Sequence, residues 1–71
     1  MTINDQFSEG VKNQLLNELE NLTRTMDVPL ARQKDPRWLL RNVGINNQSH
    51  KNLDKVIRIC KFLISKENQN G

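Results

Sequence analysis

An all-α fold, a small three-helix bundle or helical array, is what this sequence predicts. Two observations carry most of that reading. Apolar residues recur every three or four positions from Val11 to Met26 and again from Leu53 to Ile64. Between them, an Asp35-Pro36 pair and Gly44 bracket a shorter apolar stretch, marking the start and stop of a third helix. At 71 residues the chain holds one domain. A chain of this size buries only about 60% of the surface its unfolded form exposes, so a deep catalytic cleft is not expected. Residues 1–7 and 66–71 read as loosely held ends.

The first helix is predicted at about residues 8–27. Val11, Leu15, Leu16, Leu19, Leu22 and Met26 form its inner stripe, opposite Asn13, Asn17, Glu20 and Arg24. Ser8 is placed as N-cap with Glu9 in the first turn, although a start nearer Asn4 fits as well. Pro29 pushes Val28 towards extended backbone and closes the helix by about Asp27. Residues 28–34 form the connection, with Leu30 placed to pin it to the core.

The second helix is predicted at about residues 36–43. Asp35 supplies a carboxylate to a free backbone N–H, and Pro36 gives up a donor that would be unpaired anyway. Gly44 suits a left-handed residue past the last turn, with Ile45 returning to touch Leu40. Asn46, Asn47, Gln48 and Ser49 make an Asn-rich joint. The third helix is predicted at about residues 49–65, capped by Ser49 or Asn52. Its inner face is Leu53, Val56, Ile57, Cys60, Leu63 and Ile64, while Ile59 and Phe62 project elsewhere.

Charge divides the chain. Residues 1–29 carry two basic and five acidic side chains; residues 30–66 carry nine basic and two acidic. The net +3 therefore conceals a basic C-terminal half, which points to an acidic partner, nucleic acid first. The competing possibility is that the acidic half lies against the basic half and cancels it.

Catalytic and metal chemistry have little to build on. His50 and Cys60 are the single histidine and cysteine, and ten residues along one helix would hold them about 15 Å apart. No Ser-His-Asp pattern, glycine-rich phosphate loop or paired-carboxylate motif occurs. The expectation is no enzyme, no metal and no cofactor. Cys60 reads as a buried structural thiol and His50 as a solvated joint residue. With a lone cysteine, no charged-then-apolar leader and no apolar run near 18 residues, the expected setting is cytoplasmic and off the membrane.

Residues 36–55 resemble in part the helix-turn-helix of bacterial repressors. Val43, Gly44 and Ile45 match its turn and Leu53 a later buried position. Leu40 and His50 depart, standing where a small residue and a β-branched apolar residue are usual. The resemblance implies a helix-turn-helix-like C-terminal half that binds DNA. Asn46, Asn47, Gln48, Ser49, Lys51 and Lys55 would then face the groove, where Asn and Gln pair with adenine edges. Arg37, Arg41, Arg58 and Lys61 would supply backbone contacts. The expected function is a small non-catalytic regulator that binds nucleic acid through this half, with Ile59 and Phe62 as the candidate homodimer surface. The alternative is an adaptor or inhibitor that docks on an acidic protein surface through Trp38 and Phe62, ringed by cations.

Overall fold

A computed structural model describes residues 8–70, with side chains described through Glu67. The expected loose end at residues 1–7 lies outside the described residues. Three α-helices follow in order: α1 (Glu9–Thr23), α2 (Pro36–Asn42) and α3 (Leu53–Asn70), with a 3-10 turn at Leu30–Arg32 between the first two. The described elements are all helical, as the periodicity predicts.

α1 starts where its cap dictates. The Ser8 hydroxyl accepts the Val11 N–H at 3.3 Å, and Glu9 occupies the positive first turn. The helix stops four residues short of the expected Asp27. Thr23, fully buried, turns its hydroxyl back to the Leu19 carbonyl at 2.7 Å. The Asp27 N–H then donates to Asn47 Oδ1 at 2.8 Å instead of continuing the ladder. A side chain twenty residues away thus ends the helix before Pro29 can. Met26 and Val28 are buried beyond it and anchor the connection, whereas Leu30 is 80% exposed and pins nothing.

α2 begins on Asp35, whose carboxylate accepts the Trp38 N–H at 3.2 Å, with Pro36 at the first helical position. Its far end differs from the expected Schellman ending. Among the described residues no glycine has positive φ, and Ile45 stands 64% exposed. The orphan Val43 carbonyl instead accepts from Asn47 Nδ2 at 2.7 Å. A side-chain cap has taken the place of a left-handed glycine.

α3 starts at Leu53, later than expected, with Asn52 immediately before it and Asp54 in the first turn. The Val56 N–H reaches the Asn52 carbonyl at 3.0 Å, so Asn52, not Ser49, opens the helix. At the other end the helix runs on to Asn70, five residues past the expected residue 65.

The core is Leu19, Met26, Val28, Leu39, Val43, Val56, Cys60 and Leu63, drawn from all three helices and the first connection. Leu15, Leu16, Leu22, Trp38, Leu40, Leu53, Ile57 and Ile59 pack against it, partly buried. α1 and α2 both run antiparallel to α3. Thr25 meets His50 at one end of the α1–α3 pair, and Arg37 meets Glu67 at the far end of α2 and α3. α3 is the element on which the others lean, so its outer side decides what the molecule presents.

Candidate nucleic-acid interface

The outer side of α3 follows from its inner one. Val56, Cys60 and Leu63 are buried, which fixes the helix's rotation. At about 100° per residue, Lys61, Arg58 and Lys55 then fall within an arc of about 120° on the opposite side. All three are exposed, as is Lys51 just before the helix. Asp54 shares this arc, next to Lys61. Phe62, 41% exposed, lies between Arg58 and Lys55 on the same side, with the Lys66 ammonium 5.4 Å from its ring centroid.

The ion pairs say which cations are answered. Arg32 Nη1 holds Asp35 at 2.8 Å, Lys34 approaches Glu20 at 3.8 Å, and Arg37 holds Glu67 at 2.7 Å. Among the described residues no ion pair reaches Arg41, Lys51, Lys55, Arg58 or Lys61. The carboxylates of α1 therefore answer one cation of the basic half, Lys34. They leave the outer face of α3 positive.

The residues expected to contact nucleic acid, at base edges or backbone, separate into three groups. Arg41, Lys51, Lys55, Arg58 and Lys61 are exposed and have no ion pair among the described residues, and Arg37 is exposed but committed to Glu67. Asn46, Gln48 and Ser49 are exposed on the joint. Asn47 does not face outwards at all. It is 7% exposed, and its amide serves the Asp27 N–H, the Val43 carbonyl and, at 3.5 Å, the Asp27 carbonyl. The interval between Asn42 and Leu53 also exceeds the three- or four-residue turn of a helix-turn-helix. The joint residues consequently sit on turns before α3 rather than in the first turn of a recognition helix.

The residues expected at a protein interface also divide. Trp38 is half-buried against the core with the Arg32 guanidinium 5.9 Å above its ring. It packs the domain's edge. Ile59 leans on the core as well, because α1 rises on that side of α3. With Phe62, Arg58, Val11 and Leu15 it lines a shallow apolar groove between the two helices.

Two titratable residues are structural. Burial, followed by the nearby Asp35 carboxylate, pushes the Cys60 thiol up from 9.0 to about 11, so it stays protonated at neutral pH. The Asp35 carboxyl is held below its usual range, chiefly by the Trp38 N–H and further by Arg32, against the opposing pull of burial. His50 is no solvated joint residue. Its Nδ1 accepts the Asn52 N–H at 3.1 Å, which leaves Nε2 to carry the proton and donate to the Thr25 carbonyl at 3.2 Å. It ties the exit of α1 to the entry of α3. Among the described residues, no group of His, Cys, Asp and Glu side chains converges to hold a metal ion. No helix among them is long and apolar enough to cross a membrane.

Comparison of the chain with protein-family models, with curated proteins and with solved structures finds no match in any of the three.

Proposed function

We propose that this protein is a non-catalytic nucleic-acid-binding regulator that engages phosphates through the outer side of α3. The observation that carries the reading is the run of cations without carboxylate partners among the described residues: Lys51 just before α3 and Arg58 and Lys61 along it, with Arg41 exposed on α2. Cations already satisfied inside a protein offer little to a phosphate, whereas exposed, unpaired ones exchange their counterions for it. Lys55 stands at the edge of this face.

Contacts of this kind position a duplex without reading its bases. With Asn47 buried, base-edge readout falls to Asn46, Gln48 and Ser49 on the joint. The reading is thus of backbone-dominated binding with weak sequence preference.

A mobility shift with random-sequence duplex DNA at low salt tests it. Binding by the wild-type chain and its weakening in Arg58→Glu and Lys61→Glu, both exposed positions, is the expected result. No shift at low salt, or equal binding by the two variants, removes the proposal. Docking on an acidic protein surface is the second reading. The apolar groove beside Phe62 favours it, whereas Trp38 no longer does, being held against the core under Arg32.

A further inference from the structure

The groove between α1 and α3 is independent of the phosphate face in what it asks of its occupant. Its α1 wall carries Val11 and Leu15, and its α3 wall carries Arg58, Ile59 and Phe62. One heptad along α1 from Val11 is Glu18, about 20° away around the helix and exposed. One heptad back along α3 from Phe62 is Lys55, displaced by the same angle and also exposed. The helices run antiparallel from the Thr25–His50 contact, so Val11 stands roughly level with Phe62, and Glu18 with Lys55. Among the described residues, no ion pair reaches Glu18 or Lys55.

We propose that the occupant is a second copy of this chain, in a two-fold dimer that lays α1 of each copy along α3 of the other. An apolar floor between one acidic and one basic wall is complementary to itself under the right rotation. Two rotations bring the grooves face to face. An axis across the groove sets α1 on α1 and α3 on α3 with the levels reversed, so that Glu18 meets Val11, Lys55 meets Phe62 and both charges go unanswered. An axis along the groove exchanges the walls at constant level. Val11 of one copy then meets Phe62 of the other, and Glu18 meets Lys55, each contact occurring twice as an isologous interface requires. The charge pattern selects this second arrangement. It also adds the burial that so small a core lacks. Lys61 and Arg41 take no part in it, whereas Arg58 and Lys55 lie on both surfaces, so the dimer is told apart from nucleic-acid binding by the mass measured without DNA.

Sedimentation equilibrium of the full 71-residue chain over a dilution series tests the proposal. The expected mass rises from the 8.3 kDa of one chain towards twice that value. Glu18→Lys and Lys55→Glu should each weaken association by about tenfold, and the double reversal E18K/K55E should recover most of the loss. Phe62→Asp should give a monomer, with an unchanged far-ultraviolet circular dichroism spectrum showing that it still folds. A wild-type mass of one chain at every concentration overturns the proposal and leaves the groove to a foreign partner. A double reversal no stronger than either single variant overturns the arrangement, because exposed Glu18 and Lys55 would then not face each other.

Discussion

Asn47 is the residue whose role departs furthest from its appearance in the sequence. In an Asn-rich joint it looks like turn chemistry or a base-reading amide, yet it fastens the exit of α1 to the end of α2. Replacing it with Ala should cost about 2 kcal/mol, since a partly buried N–H and a buried carbonyl lose their partner together. Chemical denaturation measures this directly, with an unchanged m-value if the fold survives. Asn46→Ala, at an exposed neighbour, should cost less than about 0.5 kcal/mol. Cys60 supports a second prediction. A thiol whose pKa is raised on folding, from 9.0 to about 11, binds its proton more tightly in the native state. It leaves stability unchanged below pH 9 and lowers it as pH climbs from about 9 to 11. In Cys60→Ala that part of the alkaline decline should vanish in denaturation curves taken at several pH values. A thiol reagent at neutral pH should label the native chain slowly and the unfolded chain at once.

At the scale of the helices, the capped starts were legible in the sequence and the ends were not. Ser8 and Asp35 act within three residues of themselves, so local chemistry sufficed to locate them. The end of α2 is set by the Asn47 amide on Val43, a local contact that the Gly44 signal outweighed, and the end of α1 by the same amide from twenty residues away, which no local pattern reveals. The same reasoning covers His50, tied to Thr25 across twenty-five residues. Gly44 gives the sharpest test of this distinction. A left-handed glycine would resist Ala by about 1 kcal/mol or more, but Gly44 has no positive φ and an added Cβ meets nothing within 4 Å. Gly44→Ala should therefore be neutral or stabilising by up to about 1 kcal/mol, through the lower entropy of the unfolded chain. A fall in thermal midpoint would contradict the right-handed ending of α2.

For the molecule as a whole, the division of charge seen in the sequence survives folding in altered form. α1 and α3 do lie against each other, so the opposite halves are neighbours, yet Lys34–Glu20 is the ion pair that joins α1 to the basic half among the described residues. Periodicity separated inner from outer residues on α3 and thereby located Lys55, Arg58 and Lys61 correctly on its solvent side. It could not reveal that Arg37 is held by Glu67 or that Trp38 lies beneath Arg32, because both pairings depend on how the helices cross or the connection folds. What results is a helical domain whose α3 carries a basic outer side next to a two-toned groove. The most direct test of the basic side is fluorescence anisotropy of a labelled random-sequence duplex titrated with the protein at increasing salt. With Lys51, Arg58 and Lys61 on phosphates, log K should fall linearly with log salt at a slope near −3, and Lys61→Glu should reduce its magnitude by about one. Absence of binding at the lowest salt, or a slope that the substitution leaves untouched, would contradict it.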